Sequence, residues 1–241
     1  MMVGEADQTG AFGSQSLRFV REHMHDSTPA PSWVLNSPAL REAPVKRVLD
    51  VGCGAGVHLR SVVHELDADE GVGLEPSPEA VELLSRTYAD DPRLSFQVGT
   101  VNALPFETDS FDLVMCWSVL HWVGRNEYLQ SLGELIRVAR SHLLIMDFVA
   151  AQDYRVPYAH INGMFTYKQD FVEPVLSSGV VRIVEELRWW DKGTPGAVHP
   201  VAESDLQPFL RNPLSYHARR GVLFAKDYPI LPMFNAQDFS V

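Results

Sequence analysis

The first residues whose types and spacing point to chemistry lie in RVLDVGCGAGVHL, where an apolar run closes on Asp50 and is followed by Gly52, Gly54 and Gly56. Glycines at alternate positions let a chain turn sharply and approach a ligand closely, as a strand-to-helix binding loop requires. The spacing is not that of a dinucleotide loop. Counted from Gly52, the third glycine of G-x-G-x-x-G falls on Val57, and counted from Gly54 it falls on Leu59, which disfavours a nicotinamide-dependent oxidoreductase. The chain also lacks G-x-x-x-x-G-K-[ST], H-E-x-x-H and G-x-S-x-G. His23 and His25 stand at i and i+2, on different faces of a helix, so no metal is expected. A second group follows FDLVM: Cys116, Trp117, Ser118, His121 and Trp122. Asp147 closes HLLIMD, and Tyr154, Tyr158, His160, Tyr167 and Lys168 come after it. Histidine changes charge near neutral pH, so His121 and, in second place, His160 are the candidate bases. Trp117, Trp122, Asp147, Tyr158 and Tyr167 are the candidate substrate walls. Packing is the alternative role for His121 and the tryptophans, and the thiols of Cys53 and Cys116 read as small buried fillers.

These residues must be held by alternating strands and helices. From Arg47 the short runs RVLDV, GVGLE, LSFQV, FDLVM and HLLIMDF alternate with helix-period stretches. Leu59, Val62, Val63 and Leu66 form one apolar stripe, and Leu132, Leu135, Ile136 and Ala139 form another. Ser77 and Pro78 open a helix through PEAVELLSRTY as N-cap and first residue. Four of the five runs are nearly continuous in apolar residues, the mark of a parallel sheet covered on both faces. In such sheets ligands sit beyond the carboxyl ends of the strands. The spacing predicts a short helix around Ser16 to His25, and then DSTPAPSWVLNSPALREAP, whose four prolines break regular structure. Residues 1–45 are thus expected to form an N-terminal flap on a domain spanning 46–241. Within that domain, 151–170 reads as a lid insertion followed by a helix near Gln169 to Leu176. VRIVEELRWW and YHARRGVLFAK supply a terminal antiparallel pair.

Composition limits the partners. The 241 residues are 46% hydrophobic, enough to bury a core without disulfides. With 31 acidic and 20 basic residues the formal charge is −11, and an acidic field of that size repels a phosphate backbone, so no nucleic-acid partner is expected. The longest nearly apolar run, Leu113 to Val123, has about half the ~20 residues of a membrane helix, so no membrane association is expected. Two cysteines and a first segment without a basic start or apolar stretch suit a reducing cytoplasm. Nothing in the sequence speaks to oligomeric state.

The pattern acid-x-Gly-x-Gly-x-Gly resembles the cofactor loop of class I S-adenosylmethionine-dependent methyltransferases, and the resemblance covers roughly residues 45 to 150. Glu75 in GVGLEPS stands 75 − 50 = 25 residues after Asp50, and ALPF and SFDLV follow in register. The resemblance implies a Rossmann-like, doubly wound α/β fold with a mostly parallel seven-stranded sheet, and S-adenosylmethionine as cofactor. It implies that Gly52, Cys53, Gly54, Gly56 and Cys116 border that cofactor and that Asp50 braces the loop. It implies further that the two oxygens of Glu75 accept ribose hydroxyls, through charge-assisted bonds worth roughly 1.5–3 kcal/mol each, while Pro76 turns the chain away. Thr100 stands where the family usually carries the Asp that meets the adenine amino group. Its hydroxyl or Asn102 would take that part, with the Val101 amide donating to the ring. RVARSHLLIMDF lacks the family's usual Pro-Gly-Gly. LHWV around His121 resembles a segment bordering the substrate pocket in several small-molecule methyltransferases, including carboxyl-methylating ones. CWSV after FDLVM is not the Asn/Asp-Pro-Pro-Tyr of enzymes acting on nucleic-acid bases.

The expected function is therefore methyl transfer to a small-molecule substrate, oxygen or nitrogen being the favoured acceptor. The alternative, raised by Thr100, is a catalytically inactive methyltransferase-like binding subunit. Displacement at a sulfonium releases a neutral thioether and needs no acid. Positioning alone can supply roughly 7–11 kcal/mol of the barrier. A base matters only for a hydroxyl, thiol or protonated amine.

Overall fold

The five apolar runs that carry Asp50, Glu75, His121 and Asp147 on or just beyond them form β1 (Arg47–Val51), β2 (Glu70–Glu75), β3 (Leu94–Val98), β4 (Phe111–Trp117) and β5 (Ala139–Phe148). The computed structural model describes residues 8–24, 32–148, 153–158, 163–190, 199–200 and 218–227. These five strands are parallel neighbours in the order β3-β2-β1-β4-β5. Beyond β5 the sheet continues antiparallel through β10 (Ala218–Lys226) to β8 (Val181–Trp190). These are the seven expected strands with their antiparallel edge. A two-residue strand, β9 (His199–Pro200), adds to β8 as an eighth. Strand order reverses between β1 and β4, and at such a point the loops diverge and leave a crevice at the strand ends.

Helices cover both faces. On one face α4 (Val57–Glu65) buries the expected Leu59, Val62 and Val63 against β1, together with residues of α2 (Ser32–Leu35) and α3 (Pro38–Glu42). On the other, α6 (Arg125–Val138) buries Leu132 and Leu135. Each such leucine contributes roughly 1.5–3 kcal/mol by leaving water. Ala139, expected in the helical stripe, is instead the first residue of β5, because the backbone turns extended immediately after Val138. In α5 (Pro78–Thr87), Ser77 caps as expected, its hydroxyl accepting from the Ala80 amide at 3.2 Å.

The flanking segments depart from expectation in three places. The first helix, α1 (Gln8–His23), begins eight residues earlier than the apolar pattern suggested. The proline-rich stretch holds two short helices, since Pro38 falls at the start of α3, where its missing N–H costs nothing. Within 151–170 the described residues form an antiparallel hairpin of β6 (Tyr154–Pro157) and β7 (Phe165–Lys168). The following helix, α7 (Val172–Leu176), starts late because the Asp170 carboxylate accepts from the Val172 and Glu173 amides.

Candidate active site

The register of β1 against β2 pairs Val51 with Leu74, so the glycine loop leaves the sheet level with Glu75. Gly52 and Cys53 both donate their amides to the Leu74 carbonyl, at 2.8 and 3.1 Å. Gly52, Gly54 and Gly56 have φ of 71°, 54° and 74°, the left-handed region that side chains disfavour. At Gly52 there is also no room: a Cβ there would lie 2.4 Å from Val119 Cγ2, so the segment after β4 rests directly on the loop. At Gly54 a Cβ would lie 2.9 Å from the Phe19 ring of α1.

Two buried acids face this loop. Glu75 Oε1 accepts from the Gly54 amide at 2.6 Å, and Oε2 accepts from the Ser16 hydroxyl. Burial raises the Glu75 pKa, opposed by the bonds from Ser16 and Gly54. Asp50, only 2% exposed, is pushed up to about 7 by burial and then by the charge of Glu75, and no hydrogen bond from the described residues reaches its carboxylate. A buried acid in that state suits a cationic group. Burial drives the Cys53 thiol well above its ordinary value, and its sulfur would lie 2.7 Å from a Cβ at Gly73, so it acts by packing.

A second constellation forms where β4 and β5 end. Ser118 leaves β4 with φ of 57°, unusual for a residue with a side chain, and donates its amide to the Met146 carbonyl at 2.8 Å. This swings the chain into a 3-10 turn, Leu120–Trp122, that brings His121 over Asp147. His121 Nδ1 lies 2.9 Å from Asp147 Oδ1, and the His121 amide donates to Oδ2 at 3.1 Å. Oδ1 also accepts from the Phe148 amide at 2.7 Å. Phe148 meets His121 edge-on at 4.8 Å and is flanked by Lys168 Nζ, 3.6 Å from its ring centroid, and by Arg219 Cζ at 4.4 Å. Arg219 Nη1 donates to Ser118 Oγ at 2.8 Å. Trp122 lies 4.8 Å from the His121 ring and meets Tyr158 edge-on at 5.0 Å.

The electrostatics follow from burial. Burial lowers the His121 pKa, with Lys168 and Arg219 pushing the same way against Asp147. Burial would raise Asp147, but His121 and the amide donors hold it below the usual carboxylate range. Lys168, 2% exposed, is lowered to about 8 by burial, with Asp147 opposing and Arg219 adding to the shift. At neutral pH His121 is therefore uncharged and Asp147 is anionic.

His121, Trp122, Asp147 and Tyr158 come together as the sequence suggested. Asp147 turns its carboxylate to His121 and the Phe148 amide, which makes it a support for His121 as placed here. Trp117 goes elsewhere. Side chains alternate along β4, so it packs on the α4 face and stacks on His58 at 4.4 Å. Cys116 points the other way, into the core beside Ile145. Tyr167 is buried on β7. The Thr100 hydroxyl donates to Asn102 Oδ1 at 2.7 Å, and Val101 is buried beside it. His160 lies outside the described residues. Sequence reasoning missed Ser16, Phe19, Phe148 and Arg219. Each is an ordinary surface or strand residue until distant segments meet, and nothing in its neighbourhood marks it. Among the described residues, no group of three or more His, Cys, Asp or Glu could hold a metal ion, and no helix is long and apolar enough to cross a membrane.

Residues 48–142 match the family profile described as a methyltransferase domain. The chain is 32% identical over 112 residues to YcgJ, an uncharacterized methyltransferase of Bacillus subtilis, covering 44% of this chain and 42% of that one. It spans about four tenths of the length of this and similar curated relatives. Among solved structures, a complex between the Haloferax volcanii Trm112 methyltransferase activator and a methyltransferase aligns with a TM-score of 0.61 at 21% identity, covering 93% of this chain and 98% of that one. The [4+2]-cyclase SpnF aligns equally well, TM-score 0.61 at 14% identity, covering 91% and 96%. At these identities structural likeness establishes the fold alone. Residues 48–142 are thus a methyltransferase domain by their family match, set in a Rossmann-like fold that the solved structures share.

The site residues fit S-adenosylmethionine: a carboxylate with two oxygens at the loop mouth, a second buried acid whose carboxylate no hydrogen bond from the described residues reaches, and three glycines in the left-handed region. Glu75 would hold the ribose hydroxyls, and Asp50 would face the positive part of the molecule.

Proposed function

We propose that the protein transfers a methyl group from S-adenosylmethionine to a small molecule through an oxygen or nitrogen atom. The observation that carries this reading is the Glu75 carboxylate, buried at the mouth of the glycine loop and fixed there by the Gly54 amide at 2.6 Å. S-adenosylmethionine, when bound, supplies a methyl on a sulfonium whose departure leaves a neutral thioether. The protein's own share is to bind, orient and keep water out. Trp122, Tyr158 and Phe148 wall the acceptor side, and aromatic faces tolerate a nearby cation. His121 is the group suited to take a proton from a hydroxyl or ammonium acceptor. A formal charge of −11 supports a small molecule over a nucleic acid, and two free, buried cysteines support a reducing compartment such as the cytoplasm.

Calorimetric titration with S-adenosylhomocysteine tests the reading. Binding at micromolar concentration is expected, weakened about thirtyfold by Glu75→Ala, the loss of roughly 2 kcal/mol of charge-assisted bonding. Unchanged affinity in the variant removes the ribose role.

A second reading, a methyltransferase-like binding subunit without activity, is favoured by α1. Ser16 already donates to Glu75, and Phe19 covers Gly54. That the same fold serves a cyclase in SpnF gives it weight. It predicts no co-purifying cofactor by mass spectrometry and no heat of binding.

A further inference from the structure

We propose that Asp147 is a positioning residue that holds His121 as an Nδ1-protonated imidazole and leaves Nε2 as the proton acceptor of the site. Three donors converge on the Asp147 carboxylate: His121 Nδ1–H at 2.9 Å, the His121 amide at 3.1 Å and the Phe148 amide at 2.7 Å. An ionised carboxylate only accepts, so the ring nitrogen facing it must carry the hydrogen. A neutral imidazole has one N–H, and Nε2 is left with its lone pair. Because Asp147 binds the amide and the ring of the same residue, backbone and side chain are fixed together and the ring cannot flip without breaking the contact. The pair is buried, Asp147 at 3% and His121 at 9% exposure, so the geometry is not shared with bulk water.

The surrounding charges agree. The charged groups acting on His121 are Asp147 from β5, Lys168 from β7 and Arg219 from β10. The two cations and burial keep the ring neutral at pH 7, while Asp147 stands ready to stabilise the imidazolium after proton uptake. A proton leaving a hydroxyl or ammonium acceptor would form a bond to Nε2, making an imidazolium that later returns the proton to solvent. The role of Nε2 as base rests on the methyl-transfer reading, whereas the tautomer does not. An acceptor that is already a carboxylate would have no use for the arrangement.

Long-range proton–nitrogen NMR of histidine-labelled protein, with the His121 signal assigned by its loss in His121→Gln, reads the tautomer directly. The expected spectrum at pH 7 shows a protonated Nδ1 and a bare Nε2, with titration below the ordinary histidine range. In Asp147→Asn, the side-chain amide can no longer accept from both groups, and the signals should move to the Nε2-protonated form or to a mixture. S-adenosylhomocysteine affinity should stay within about twofold in that variant. An Nε2-protonated ring in the wild-type protein, or an Asp147→Asn spectrum identical to it, overturns the proposal. Should Asp147→Asn not fold, the wild-type spectrum alone decides. Absence of S-adenosylhomocysteine binding to the wild-type protein overturns the base role and leaves the tautomer assignment standing.

Discussion

Ser16 of α1 and Glu75 at the end of β2, 59 residues apart in the chain, share a hydrogen bond across the mouth of the glycine loop. The opposite oxygen of that carboxylate is held by Gly54, so the N-terminal helix and the loop grip one acid from two sides. Leu17 and Val20 pack α1 against Ala80 and Leu84 of α5, which anchors the helix there. Helix α1 thus forms part of the wall at the mouth of the glycine loop.

Because Ser16 occupies a lone pair of Glu75 that a ribose hydroxyl would use, removing it should favour binding. Ser16→Ala is expected to tighten S-adenosylhomocysteine binding by up to about tenfold, the worth of one charge-assisted bond near 1.5 kcal/mol. Calorimetry checks this, and weaker binding would mean that Ser16 closes over the cofactor and holds the carboxylate for it.

Asp50 predicts a proton linkage. Its folded pKa of about 7 lies above the ordinary 3.8, so the folded protein holds the extra proton between those values. Stability therefore falls as pH rises through that window, with the full penalty present above 7. A cation beside Asp50 favours its ionised form, so S-adenosylmethionine binding near pH 6.5 should release a proton and strengthen as pH rises through 7. Titrations in phosphate and in Tris should give different heats for the wild-type protein and equal heats for Asp50→Asn. Equal heats in the wild type would remove Asp50 from contact with the positive part of the cofactor.

Gly52 should be intolerant for two separable reasons. Its φ of 71° costs an alanine roughly 1–2 kcal/mol, and the 2.4 Å approach to Val119 Cγ2 adds a clash. Gly52→Ala should lower unfolding free energy by more than the backbone cost alone. Adding Val119→Ala should recover the clash component and leave the backbone component. Urea denaturation of the two single variants and the double variant gives the coupling, and strict additivity would show that Val119 yields freely.

The geometry around the glycine loop was legible because it is local. Asp50, the three glycines and Glu75 lie within two strand ends and one turn, and a parallel β-α-β unit must place the end of β2 beside the end of β1. Strand alternation, by contrast, sent Trp117 to the α4 face, although its position in the chain equals that of its neighbours. The β6–β7 hairpin was missed because four-residue strands of mixed polarity carry little periodic signal.

By itself the sequence determined the parallel sheet, the glycine loop, the acid pair and the position of His121, since periodicity and short-range stereochemistry fix such features within a few tens of residues. Only the tertiary structure decided that Asp147 grips His121, that Lys168 and Arg219 flank Phe148, and that Ser16 reaches Glu75. Those contacts join the turn after β4 to β5, β5 to β7 and β10, and α1 to β2. Their existence depends on how separate elements pack, and a burial that shifts a pKa is a property of the whole assembly rather than of any segment.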